Sequence, residues 1–430
     1  IGGIGIGIST IAAPLFIAEI SPASDRGKLT GLFQFNIVLG ILMAFLSNFI
    51  ILELTPEALA WRFMLGIQVI PCAIYTFLCC YLPESPRWLI VEKNDLVKGK
   101  HVFGLINPSM TESQLDNLVN EVKESAKAEI QSKTLKSKFF CRKLLYPILF
   151  AFLIAAFNQL SGINIILYFA PRLLALAGME DPLAASISLG STNFIATFIG
   201  IRLIDKLGRK TLLIIGCIGY IISLSVCTYS FFHYSELKVV SSAIDTVNSA
   251  NHLIDIQKGT AYFTIEDAKN ANKAYETAKE NLYKVTTASN YIVDSESLVG
   301  NDIEKVKTVA LDIKAQATNN LGSVSSIVLV CMITFIASHA IGSGTIIWVF
   351  ISEIFPNSVR AKGQSLGSFT HWIFAAGLTL FFPIAISSFD AGFIFGFFAF
   401  MMVLQLIWCV FMMKETKGKT LETIAREMQI

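Results

Sequence analysis

Within FNQLSGINIILYF (157–169), Asn158, Gln159, Ser161, Asn164 and Tyr168 interrupt an otherwise apolar run. Amides carry donors and acceptors together. Polar side chains in so apolar a segment cost free energy unless they find partners or line a cavity. Any one of them would serve to bridge two helices, but the set suits a ligand covered in hydroxyls. Gln34 and Asn36 stand in a second apolar run, and Ser191, Thr192 and Asn193 in a third. The interiors of these runs carry no charge, which favours a neutral polyol such as a sugar over an ion. On an ideal helix Gln159 and Asn164 point about 140° apart. A shared cavity therefore requires a break, for which Ser161-Gly162 is the suitable place.

A second set of residues is charged. AEISPASDRGK (18–28) returns as SEIFPNSVRAK (352–362), so that Glu19 and Arg26 have counterparts in Glu353 and Arg360. DKLGRK (205–210) makes a tight turn in which Gly208 is free to take positive φ. Arg209 is expected to pair with Glu353, and Arg360 with nearby acids, as a latch made in one conformation and broken in another. The alternative is that these charges only set topology and anchor lipid.

Other chemistry is excluded by what is missing. There is no GxSxG, Walker A, HExxH or Cys/His metal spacing, so neither an enzyme, a cofactor, a metal site nor an ATP-driven pump is read in this chain. The eight cysteines show no CxxC pattern and read as packing residues without a disulfide framework. The glycines of GGIGIGIS (2–9) sit inside an apolar run and are expected to let helices pack closely, not to cradle phosphate.

The elements that must hold these residues are membrane helices. Of 430 residues, 53% are hydrophobic and 15% charged, against about a quarter charged in an ordinary soluble chain. Runs of roughly 20 apolar residues are long enough to span. Nine occur: 1–18, 29–52, 61–82, 144–170, 183–204, 211–233, 322–351, 364–386 and 392–413. Continuous apolar runs exclude a barrel. The segment 84–143 holds eleven Lys/Arg, and the connectors 21–28, 205–210 and 356–362 are also basic, which places them in the cytoplasm. LPESPRWL (82–89) follows the first charged copy at about the distance at which MKETKGKTL (413–421) follows the second. A parallel repeat of this kind indicates two six-span halves, of which the first has three spans here, so three N-terminal helices are expected to be missing.

The expected division is 1–83 for the second half of the N-terminal bundle, 84–143 for a cytoplasmic helical linker, and 144–233 for the first three spans of the C-terminal bundle. Then come 234–320 as an extracytoplasmic insertion, 321–413 for the last three spans and 414–430 as a cytoplasmic tail. In the linker, Leu115, Leu118, Val119 and Val122 share a helical face. In the insertion, Ala268, Ala271, Ala274, Ala278 and Leu282 form one stripe after a capping signal at Thr264 and Asp267. Ile303, Val306, Val309, Ala310 and Ile313 form a second stripe, so a helical hairpin is expected there.

AEISPASDRG, PESPRWL, NQLSGIN, DKLGRK, WVFISEIFP with RAKG, and ETKGKTLE together resemble the sugar porters of the major facilitator superfamily, most closely bacterial sugar:proton symporters. The resemblance covers essentially the whole chain outside 234–320. It implies an all-α fold of two six-helix bundles rocking about a central site. It further implies sugar contacts at Gln34, Asn158, Gln159, Asn164, Tyr168, Asn193, Trp348, His371 and Trp372, with Gly344 in the stretch that bends the tenth helix. Glu19, Arg26, Glu84, Arg87, Asp205, Arg209, Glu353 and Arg360 match the cytoplasmic gate. Asn158 and His371 depart from the family's usual residues and would reshape the hydrogen bonding. The expected function is alternating-access transport of a neutral hexose or pentose, proton-coupled in the bacterial manner. The expected setting is a bacterial inner membrane, with the chain acting as a monomer and without nucleic acid. A facilitative uniporter and a non-transporting sugar sensor are the alternatives.

Overall fold

The structure, a computed structural model, describes the chain except residues 1, 21–25, 134–138, 180, 259–264, 290, 292–297, 299, 301, 356–358 and 418–430. The capping residue Thr264 thus lies outside the described residues. The described elements are helices throughout. The first bundle contributes α1 (Gly2–Ile20), α2 (Arg26–Leu54), α3 (Glu57–Gly66) and α4 (Val69–Cys79). The linker holds α5 (Pro86–Val91), α6 (Leu96–Ile106) and α7 (Glu112–Lys133). Next come α8 (Leu145–Leu160), α9 (Ile163–Tyr168), α10 (Ala170–Leu176), α11 (Pro182–Leu207) and α12 (Arg209–His233). The insertion folds as α13 (Ser235–Gln257), α14 (Ile265–Ala288) and α15 (Ile303–Leu321). The chain closes with α16 (Val324–Ile341), α17 (Ser343–Ile354), α18 (Arg360–Ser388) and α19 (Ala391–Phe411).

Eight segments among the described residues are long and apolar enough to cross a bilayer, and Gly2–Ala13 is a shorter apolar helix. Their outer faces carry exposed apolar side chains such as Phe63, Ile70 and Phe77, a surface that lipid covers without penalty. The glycines of α1 do not pack as expected, since a Cβ on Gly2, Gly3, Gly5 or Gly7 would meet nothing within 4 Å. Close glycine packing occurs instead where α12 crosses the junction of α16 and α17. There a Cβ on Gly216 would stand 3.0 Å from the Cα of Gly342.

Two breaks within the predicted spans bear on the site. The first separates α8 from α9 at Gly162, whose φ of 87° is left-handed. Backbone bonds reset across it, with the Gly162 N–H donating to Gln159 O and its carbonyl accepting from Ile166. The second break, at Gly342, separates α16 from α17. Gly344 lies two residues beyond this break, in the first turn of α17, buried against the His339 ring.

Among the described residues the insertion forms three long helices where two were expected. The stripes picked out on α14 and α15 pack largely as expected, except that Ala274 is exposed and Tyr275 takes its place in the core. The missed helix is α13. Its buried face of Val239, Val240, Ala243 and Ala250 shares one continuous core with Leu174, Leu224 and Phe231 of the membrane helices and Val306 and Ile313 of α15. Each fully buried Val, Leu or Ile contributes about 1.5–3 kcal/mol, so the insertion is an extension of the C-terminal core and not a loop hung from it. The linker has a small core of its own, in which Ile90 and Phe103 meet Leu115, Val119 and Val122.

Candidate functional site

The break at Gly162 sets the central cluster. Gln159 ends α8 and Asn164 begins α9, and the break brings their side chains together, so that Asn164 Nδ2 donates to Gln159 Oε1 at 2.8 Å. Gln159 Nε2 in turn donates to Asn158 Oδ1 at 3.0 Å. The same nitrogen lies 3.1 Å from both Nδ1 and Nε2 of His371 on α18. Trp348 of α17 tilts against the His371 ring with centroids 5.2 Å apart, and Trp372 meets it edge-on at 5.2 Å. The Trp372 indole nitrogen is buried and has no hydrogen-bond partner among the described residues. Two stretches remote in sequence, α8–α9 and α17–α18, thus converge on amides, an imidazole and two indoles. Such a set offers donors, acceptors and flat apolar faces, which together suit the hydroxyls and C–H face of a neutral polyol.

Four further predicted contacts stand outside this hydrogen-bonded cluster. Asn193 of α11 is buried, Gln34 of α2 is half-buried, and Tyr168 at the end of α9 is 56% exposed. Gly344 touches His339 and not the amides. The helix carrying Gln34 is fixed against α11 through Phe35, whose ring centroid lies 4.9 Å from that of Phe194.

The charged seam forms at the opposite ends of the helices from the insertion. Arg209 Nη2 meets Glu353 Oε1 at 2.7 Å, as the spacing predicted, with both side chains mostly buried. Glu353 Oε2 also accepts from the Thr416 hydroxyl at 2.6 Å. Glu415, in the ETKGKTLE stretch, was not among the expected gate residues. Its carboxylate accepts from the backbone N–H groups of Arg209 at 3.0 Å and Lys210 at 2.9 Å, capping the start of α12 from a segment some 200 residues away. The orphan donors and positive end of a helix dipole favour a carboxylate there. Gly208, at φ 89°, leaves the room, because a Cβ would stand 2.6 Å from Glu415 Oε2. Burial pushes the Glu415 carboxyl up, but the N–H donors of Lys417, Arg209, Lys210 and Thr416 together hold it below its ordinary value.

All described members of this seam come from the C-terminal half. The side chains of Glu19, Arg26 and Asp205 lie outside the described residues. Arg360 donates from Nε to the Phe355 carbonyl at 3.4 Å. Glu84 and Arg87 are exposed beside the start of α5, and the hydrogen bonds of the seam do not reach them among the described residues.

With this geometry in view, comparison with known proteins is decisive. The family described as sugar (and other) transporter matches residues 1–247 and 307–428. The chain belongs to the sugar transporter family. It is 25% identical to the glucose transporter GlcP of Staphylococcus epidermidis, covering 99% of this chain and 75% of that one. It is 29% identical to the human proton myo-inositol cotransporter, covering 98% of this chain and 65% of the relative. It is 26% identical to the D-xylose-proton symporter of Escherichia coli K12, covering 99% and 69%. Among solved structures it is similar to the proton:xylose symporter XylE bound to 6-bromo-6-deoxy-D-glucose. That match has a TM-score of 0.63 at 23% identity and covers 99% of this chain and 72% of that one. An inward-open form of XylE from E. coli gives 0.64 at 25% identity, with 99% and 71% covered. The fold is that of the major facilitator transporters.

In this sugar transporter a second buried polar group backs the central cluster, and sequence reading missed it. The Tyr220 hydroxyl of α12 lies 2.6 Å from His339 Nδ1 of α16, and Gln405 Nε2 of α19 donates to Ser343 Oγ at 3.2 Å. Thr345 Oγ1 donates to the Ala340 carbonyl, which the break would otherwise leave unpartnered. Their signal was a Tyr, a His and a Gln in apolar runs, separated too widely to read as one group.

Proposed function

We propose that the amide–imidazole–indole cluster is the sugar site of an alternating-access transporter. Asn158, Gln159, Asn164 and His371 would hydrogen-bond the hydroxyls, and Trp348 and Trp372 would flank the ring. Gln34, Tyr168 and Asn193 would contribute as the bundles close. The single observation that carries this reading is the Gln159–His371 contact, which joins the broken α8–α9 segment to α18 inside the membrane region. The absence of charge in the cluster favours a neutral hexose or pentose. A cyclic polyol such as the one named for the human relative fits the same chemistry.

The basic linker 84–143 and the tail 414–430 are placed in the cytoplasm and 234–320 outside, on the positive-inside rule, with 1–83 and 144–233 plus 321–413 as the two moving bundles. On that orientation the Arg209–Glu353–Thr416 and Glu415 contacts staple α12, α17 and the tail into one cytoplasmic unit. The gate residues of the first half, Glu19, Arg26, Glu84 and Arg87, would close against it, along with Asp205 and Arg360. The membrane is a plasma membrane, the bacterial inner membrane on the resemblance, and the chain would work as a monomer. Proton symport is favoured by the two relatives named as proton-coupled.

The test is uptake of radiolabelled D-glucose, D-xylose and myo-inositol by proteoliposomes, with and without an inward proton gradient. Gradient-driven accumulation supports symport. Equilibration alone supports a uniporter, and saturable binding without flux supports a sensor.

A further inference from the structure

A cleft of about 1060 Å³ separates the insertion from the ends of the membrane helices. That volume is at the upper end of what small-molecule sites enclose. One wall is α13, where Asp245, Asn248, Ser249 and His252 line the cleft. Their spacing of i, i+3, i+4 and i+7 puts them on one helical face. The neighbouring face of α13 is the buried one, Val239, Val240, Ala243 and Ala250, so the polar stripe is not simply the side turned away from the protein. Arg172 of α10 and Lys314 of α15 line the same cleft.

The polar wall is held rigidly. Lys238 Nζ pairs with Asp390 Oδ2 at 2.7 Å, tying the start of α13 to the N-cap of α19. The Thr246 hydroxyl reaches the Ala278 carbonyl of α14 at 3.1 Å. A preformed wall loses little ordering entropy when it binds. Arg172 Nη2 approaches Asp245 Oδ1 only to 3.7 Å, with both side chains close to half exposed. At that distance the pair leaves hydrogen-bonding capacity on both partners. Burial pushes the Asp245 carboxyl up against the opposing pull of Arg172, as for a carboxylate short of donors.

The chemistry of the lining narrows the ligand. A cation would meet Arg172 and Lys314, and an anion would meet Asp245 at the start of the stripe. A neutral molecule rich in hydroxyls can donate to Asp245 and accept from Asn248, Arg172 and Lys314 together. Arg172 also lies on the helix that directly continues α9, so the cleft and the central cluster share one broken segment.

We propose that this cleft is a second, vestibular site for neutral polyols, which holds sugar on the insertion side before it reaches the amide cluster. It rests on the transport reading above, with the insertion outside. Neither the four-residue stripe nor Lys314 contributes to the central cluster, and Asn248, Ser249 and His252 fall in the part of the chain that the family match omits.

Equilibrium dialysis of the purified protein with radiolabelled D-glucose, D-xylose and myo-inositol counts the sites. The wild type is expected to bind two molecules of its preferred sugar per chain. Asn248→Ala/His252→Ala should bind one, Gln159→Ala should retain the vestibular one, and the combined variant should bind none. In right-side-out proteoliposomes the double variant should raise the influx KM about three- to tenfold, the loss of one or two hydrogen bonds, while the efflux KM stays put. A structural role for α13 would move both directions together. One bound sugar in the wild type, lost in Gln159→Ala, with an unchanged influx KM in the double variant, overturns the vestibular site and leaves transport standing. No sugar bound by any form overturns both.

Discussion

The amide nitrogen of Gln159 lies 3.1 Å from both ring nitrogens of His371, across 212 residues of chain. This contact ties the end of α8 to the middle of α18, so a sugar that engages either side chain is felt by both helices. Gln159→Ala leaves the Asn164 amide and the His371 imidazole short of a partner. It should weaken sugar binding by about 1–3 kcal/mol. In a double-mutant cycle with His371→Ala, measured by titration calorimetry, the two losses should be non-additive by more than about 0.5 kcal/mol. Strict additivity would place the residues in separate sites.

The left-handed backbone at Gly162 is what brings Asn164 onto the same Gln159 side chain. At φ 87°, a Cβ would also stand 2.6 Å from the Phe398 ring. A left-handed residue with a side chain costs about 1–2 kcal/mol before any clash. Gly162→Ala should therefore lower the thermal unfolding temperature and reduce uptake together. Gly162→Ala with Phe398→Ala should recover part of the stability, because it removes the clash but not the backbone strain.

Arg209 and Glu353 meet in a mostly buried, charge-assisted contact that Thr416 completes. Glu353→Gln keeps the shape and removes the charge. It should cost roughly 1.5–3 kcal/mol of local stability and alter the maximal transport rate several-fold more than the affinity for sugar. Uptake kinetics with matched binding measurements check this. An effect confined to affinity would detach the seam from the conformational cycle.

Glu415 carries a pH dependence of known sign. Its carboxyl is lowered in the folded protein because the backbone donors of the α12 cap outweigh burial. The ionised cap therefore contributes its full stabilisation above the ordinary carboxylate range, about pH 4.3. That contribution fades as pH falls below this range through the lowered folded value. Thermal unfolding followed from pH 6 to about pH 3 should show this decline in the wild type and a shallower one in Glu415→Gln.

Much of this was legible in the residues. The apolar runs gave the membrane helices, the Ser161-Gly162 step marked the break, and the DKLGRK turn predicted the Arg209–Glu353 pair. What escaped had physical reasons. α13 hides its apolar face behind a polar stripe, and its hydrophobic partners are membrane helices and α15, so local pattern understated it. Glu415 acts through backbone N–H groups, which no side-chain spacing reveals. Tyr220 and His339 are partners only because Gly216 and Gly342 let α12 approach the α16–α17 junction closely. The glycines of α1 misled in the other direction, since small residues permit close packing without requiring it.

The central claim is that a neutral sugar bound at the Gln159–His371 cluster crosses the membrane by alternating access. Entrance counterflow tests it most directly: proteoliposomes loaded with unlabelled sugar are diluted into a trace of the same sugar, radiolabelled. The account predicts a transient internal overshoot of label in the wild type that is strongly reduced in Gln159→Ala. A wild type that binds sugar yet shows no overshoot, or an overshoot untouched by Gln159→Ala, would contradict it.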